Sequence, residues 1–154
     1  MTLAEYKEYM KDFFEKYYEK LSRDDINIER PLNEKNREMW ADDADPNEEW
    51  KKWKLVPADI DESEIAEFEQ EIGIELPLSV KAFLTTYFHF FEEPIGVNPF
   101  SNHFKGMRNA WNPILIKCGY LPITWNEGHY SIRCVQLTNM TAEEEGGVYQ
   151  IDHE

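Results

Sequence analysis

Residues 61–84 read DESEIAEFEQEIGIELPLSVKAFL. Asp61 followed three residues later by Glu64 is the pattern of a capping box, in which each side chain satisfies the other's free backbone N–H at a helix start. Ile65, Phe68 and Ile72 then recur at helical spacing, and Gly73 offers the left-handed stop, so a helix is expected over 63–72. A second helix is expected over 77–90. Pro77 is tolerated in its first turn, where the missing N–H has no helical partner anyway. Val80, Phe83, Leu84, Tyr87 and Phe88 form its apolar face, and Pro94 and Gly96 end it.

Downstream of residue 110 the apolar period falls from 3.6 to 2. Ile114–Lys117, Tyr120–Trp125, His129–Leu137 and Val148–Asp152 are short and rich in β-branched and aromatic residues, so they read as strands. Asn126-Glu127-Gly128 fits a three-residue hairpin loop with glycine in the left-handed position. Upstream, Thr2 with Glu5 makes another capping box, and Leu3, Tyr6, Met10, Phe13, Tyr17 and Leu21 recur every three or four residues, which predicts a helix over 2–21. Residues 22–58 are polar and turn-rich, with a short helix expected over Glu48 to Lys52. Trp40, Trp50 and Trp53 fall in this stretch and require cover, so it is no free linker. Helices first and an antiparallel meander after them make the expected class α+β, with the N-terminal and central helices packed on the sheet. The expected core joins Phe68, Ile72, Leu76, Phe83, Leu84, Tyr87 and Ile123.

The 154 residues suit one domain, with 1–54 a helix plus Trp-rich extension and 55–154 its core. Acidic side chains number 31 against 16 basic, a formal charge of −15, and the largest share of the excess falls within 55–94. Such a field repels phosphate and anionic lipid and attracts a basic partner. Aromatic residues make up 14% of the chain, far too much bulky surface for a disordered acidic tail. Mean hydropathy is −0.67 and no apolar run approaches the ~20 residues that cross a bilayer. The first residues carry no basic and apolar signal pattern, so a cytoplasmic location is expected. Cys118 and Cys134 lack metal-ligand spacing and are expected to stay reduced thiols.

None of the common phosphate-loop, dinucleotide, zinc-protease, serine-hydrolase or calcium-loop motifs occurs. No catalytic residue, metal ligand or cofactor is therefore assigned. His89 reads as a helix-face histidine, and His153 between Asp152 and Glu154 lacks converging partners, because consecutive strand side chains point to opposite faces.

The 61–84 stretch resembles the signature of the SUKH superfamily, which includes yeast cell-wall-synthesis regulators and many bacterial toxin-immunity proteins. Gly73, Leu76, Pro77, Lys81, Phe83 and Leu84 fit that signature in order and spacing. Tyr120-Leu121-Pro122-Ile123 resembles the family's strand leading into a hairpin, and residues 148–154, VYQIDHE, its late strand. The resemblance implies a non-catalytic protein-binding module: an immunity protein that neutralises a cognate toxin, often a nuclease and therefore basic, without itself touching nucleic acid or membrane. Alternatives are a regulatory scaffold in envelope signalling and a hydrolase using His129 with Glu127.

Binding energy concentrates in a few aromatic anchors, while surrounding acids steer the encounter. Trp40 and Trp50 with Asp42, Asp43, Asp45, Glu48 and Glu49, and Trp125 with Glu127 on the hairpin, show that combination. These acids, with Trp40 and Trp125, form the expected partner-binding face. Each tryptophan taken singly also reads as a core residue.

Overall fold

The computed structural model describes residues 1–58, 60–88, 113–125, 131–137 and 147–152. Its helices and antiparallel strands make an α+β protein, with a three-stranded sheet in the C-terminal part. The chain forms two compact units. One holds the described residues of Met1–Ile60 and Leu78–Phe90, the other those of Asp61–Pro77 and Asn102–Glu154. The boundary cuts the 61–84 stretch between Pro77 and Leu78.

The first unit opens with α1, Leu3–Leu21, capped as its sequence dictates: the Glu5 N–H donates to Thr2 Oγ1 at 3.3 Å and the Thr2 N–H to Glu5 Oε2 at 2.7 Å. Those bonds hold the Glu5 carboxyl below its ordinary range, the Thr2 backbone N–H being the larger cause. Helix α3, Leu78–Thr86, packs on α1 through Phe14, which is 1% exposed. The Phe14 ring lies 5.4 Å from that of Phe83 and 6.2 Å, edge-on, from that of Tyr87. Short strands complete the unit: β1 (Glu29–Pro31) pairs antiparallel with β2 (Trp50–Lys52), and β3 (Val56–Pro57) with β4 (Tyr87–Phe88).

In the second unit, Asp61 caps α2, Glu62–Ile72, by accepting from the Ser63 and Glu64 N–H groups at 2.7 and 3.0 Å. Ile65, Phe68 and Ile72 are its buried residues, and Gly73 ends it at φ 70°. The Leu76 N–H, beyond that stop, donates back to Glu69 Oε1 at 2.5 Å. Helix α4, Pro113–Lys117, leads through Gly119 at φ 79° into β5, Tyr120–Trp125. Strands β5, β6 (Ser131–Gln136) and β7 (Val148–Asp152) run antiparallel in that order. A register shift lies between Pro122 and Thr124, immediately after the residue that has no N–H to give to the ladder. Leu121, Cys134 and Val135 are buried.

Four expectations change. Ile114–Lys117 is part of a helix: a segment this short cannot display a period, and Pro113 presets the helical φ at its start. Glu48–Lys52 is not helical, because residues 50–52 pair with β1 in a contact no local pattern reveals. The helix expected to reach residue 90 stops at Thr86, where the next two residues join β3. The Thr85 and Thr86 hydroxyls donate to carbonyls four residues back, at 2.7 and 2.5 Å, a bond that loosens a helix end. Finally, Phe83, Leu84 and Tyr87 are only half-buried, whereas Val80, Ala82 and Thr85 are sealed. The smaller side chains take the enclosed positions of α3, while Phe83 and Tyr87, although their rings meet Phe14, keep part of their surface exposed. The side chain of Ile123 lies outside the described residues.

Both cysteines are free thiols, Cys118 exposed and Cys134 buried. Burial pushes the Cys134 thiol up to about 11. Native protein is therefore expected to take up one equivalent of a thiol reagent at Cys118 near pH 8, and the second only on unfolding. Two equivalents in the native state, localised by peptide mapping, would show Cys134 to be open. Tyr87 is likewise pushed up to about 12, first by burial and then by its hydrogen bond to Glu15. For both groups the folded pKa exceeds the unfolded one, so their contribution to stability is complete below about pH 9. It is lost as pH rises toward 11–12, and denaturant midpoints measured at pH 7.5, 9 and 10.5 are expected to fall over the last interval.

Among the described residues, no helix is long and apolar enough to cross a membrane.

Candidate binding surface

The segment from Met39 to Lys54 leaves the first unit's core, turns twice through the acidic residues and returns. Its two ends are tied by backbone bonds: Ala41 N–H to the Lys52 carbonyl at 2.9 Å, Lys54 N–H to the Met39 carbonyl at 2.8 Å, and a bridge between Trp40 and Trp53. Between them the Ala44 N–H donates to the Ala41 carbonyl at 3.0 Å and the Glu48 N–H to the Asp45 carbonyl at 3.3 Å, closing two successive turns. Asp45 fixes the second by accepting from the Asn47 N–H at 2.8 Å and its amide at 3.0 Å. The loop is thus a shaped feature with exposed acids along it.

Those acids divide into two sets. Asp42 pairs with Lys54 at 2.6 Å, and Asp43 shares Lys52, at 3.7 Å, with Asp25, at 2.9 Å. The hydrogen bond from Lys54 holds the Asp42 carboxyl below its usual range, and the bond to Asp25 raises the Lys52 ammonium. All three carboxylates are largely in water, so these pairs add little stability. Their effect is to neutralise that end of the loop. Asp45, Glu48 and Glu49 make no ion pair among the described residues.

The tryptophans separate as strand alternation requires. Trp50, first in β2, is 55% exposed; Trp53 is fully enclosed and Trp40 is 9% exposed. Trp40 lies beneath the Lys51 ammonium, 4.8 Å from the ring centroid, and near the Arg37 guanidinium at 5.8 Å. Its burial leaves Trp50 as the exposed tryptophan of this segment. Lys51 itself is 5% exposed, its ammonium bonded to the Glu48 and Leu32 carbonyls, so a cation is held under the acidic turn. The sequence reading set Trp40 and Trp50 alike beside the acids and expected a helix over 48–52, so it missed that strand alternation exposes Trp50 and turns Lys51 inward.

Of the second expected patch, the Trp125 backbone ends β5 opposite Ile132, while its side chain, Glu127 and His129 lie outside the described residues. So do His89 and His153.

Comparisons with models of protein families, with curated proteins and with solved structures find no match for this chain.

Proposed function

We propose that the chain is a non-catalytic binding protein that neutralises a basic protein toxin, of the kind nuclease toxins present, by covering it with the 42–50 loop. The observation that carries this reading is Trp50, 55% exposed and immediately preceded by the unpaired acids Glu48 and Glu49. An exposed indole beside uncompensated negative charge combines an anchor with a steering field, and the chain's charge of −15 extends that field. The resemblance of residues 61–84 and 120–123 to the SUKH superfamily supports the same reading, under which the protein would act in the cytoplasm, where an immunity protein meets its toxin.

The test is co-expression with the product of a toxin gene adjoining this one, scored by growth and by binding of the two purified proteins. Trp50→Ala is expected to weaken binding at least about tenfold, chiefly through faster dissociation. Glu48→Lys with Glu49→Lys is expected to slow association and flatten its salt dependence. Reversing Asp42, Asp43 and Asp45 to Lys is expected to slow association less, since two of those acids are already neutralised. Unprotected growth with a toxic neighbour, or full affinity in the Trp50→Ala variant, would overturn the proposal.

A further inference from the structure

Helix α1 carries a second apolar stripe besides the one that buries Phe14. Tyr9, Phe13 and Tyr17, spaced by four residues, are 61%, 47% and 40% exposed. The Phe13 and Tyr17 rings stack with centroids 6.0 Å apart and planes 9° from parallel. Together with Asp12, Lys16 and Lys20 they line an open cleft of about 270 Å³. Three large rings facing water on consecutive turns of one helix form a continuous apolar surface, not scattered exposed residues.

Charge along the stripe is graded. Asp12 and Lys16 pair with one another at 2.7 Å, which leaves Glu5 toward the N-terminal end of the stripe and Lys20 toward its C-terminal end. A parallel partner helix of the same sequence would set Lys20 against its own copy. An antiparallel one, crossing at Phe13, reverses the match: Tyr9 meets the other copy's Tyr17, and Phe13 meets Phe13. Glu5 lies eight residues before that crossing and Lys20 seven after it. At ~1.5 Å per residue, the Lys20 of one copy therefore comes level with the Glu5 of the other to within about one residue. Because the two-fold axis is perpendicular to both helices, the charged flank of one copy adjoins the same flank of the other.

We infer that the Tyr9–Phe13–Tyr17 face of α1 is a self-association surface, on which a second copy of this chain docks its own α1 antiparallel. The rings supply on the order of 300 Å² per copy, taking roughly 200 Å² for a whole aromatic side chain. That is well short of the roughly 800 Å² per partner of a standard stable interface, so the dimer is a weak one, with a dissociation constant on the order of 100 μM. It uses residues remote in sequence from the 42–50 loop.

Sedimentation velocity from about 10 μM to about 1 mM tests it. The wild type is expected to move from monomer toward dimer across that range. Tyr9→Glu, at the most exposed ring, is expected to weaken association at least about tenfold while leaving the far-ultraviolet circular dichroism unchanged. Lys20→Glu, which sets acid against Glu5, is expected to weaken it less. Orientation is read in a Cys118→Ser background: Phe13→Cys cross-links to itself, and Tyr9→Cys cross-links to Tyr17→Cys in preference to another Tyr9→Cys. A monomer at every concentration would overturn the proposal and leave the face to a different protein. Association undiminished by Tyr9→Glu and Lys20→Glu, or Tyr9→Cys preferring its own kind, would overturn it as well.

Discussion

Replacing Trp53 with alanine is expected to cost about 3–5 kcal/mol, the range for deleting a large enclosed aromatic side chain. Trp53 has no exposed surface, and its ring meets the Tyr18 ring edge-on at 5.0 Å. Its backbone is a junction as well: the N–H donates to the Ile28 carbonyl at 3.0 Å, the carbonyl accepts from the Tyr18 hydroxyl at 2.5 Å, and Trp40 bridges to it. Those backbone bonds survive the substitution, but the wall that keeps water from them does not. Trp50→Ala, three residues away, is expected to stay within about 0.5 kcal/mol of wild type because its ring already faces solvent. Denaturant midpoints at unchanged slope decide between these outcomes. Equal shifts for the two variants would mean that alternation along β2 has been misread.

Phe14→Ala is expected to have an effect of similar size, again about 3–5 kcal/mol. Phe14 is the one residue of α1 that is fully buried, and the rings of Phe83 and Tyr87 lean on it from α3 and β4. Removing it leaves a cavity between two helices that its neighbours fill only in part. Phe83→Ala, at a half-buried position, is expected to cost less than half as much, about 1–2 kcal/mol. The order of the two midpoints is the measurement that matters. A larger loss for Phe83 would place the α1–α3 contact on the other side of that helix.

The elements that could be read from the sequence are those whose instructions are local. Thr2 with Glu5 and Asp61 with Glu64 announce helix starts within four residues, and Gly73 announces an end because only its left-handed conformation is needed there. Strands β5, β6 and β7 are long enough for alternation to show. Strand β2 is not: its three residues are extended only because β1, some twenty residues earlier, pairs with them. Misjudging that strand also hid which side chains of the segment face solvent. Once Trp50–Lys52 is extended, alternation turns Trp50 outward and Lys51 inward, and the ammonium finds the Trp40 ring and two carbonyls. The exposure of the acids from Asp42 to Glu49 could be read from their composition. Their division into neutralised and free charges could not, because it depends on where Lys52 and Lys54 return.

The arrangement of Trp40, Trp50 and Trp53 also makes this segment its own optical reporter. An indole in water emits further to the red than one sealed from it, and only the former is reached by a dissolved quencher such as iodide or acrylamide. Trp50 and Trp53 therefore occupy opposite ends of that scale within four residues of one another. The fluorescence difference between the wild type and Trp50→Phe isolates the exposed ring from the chain's other four tryptophans. A blue shift of that difference spectrum, with loss of quenching on adding a second protein, would register occupation of the loop without any attached dye.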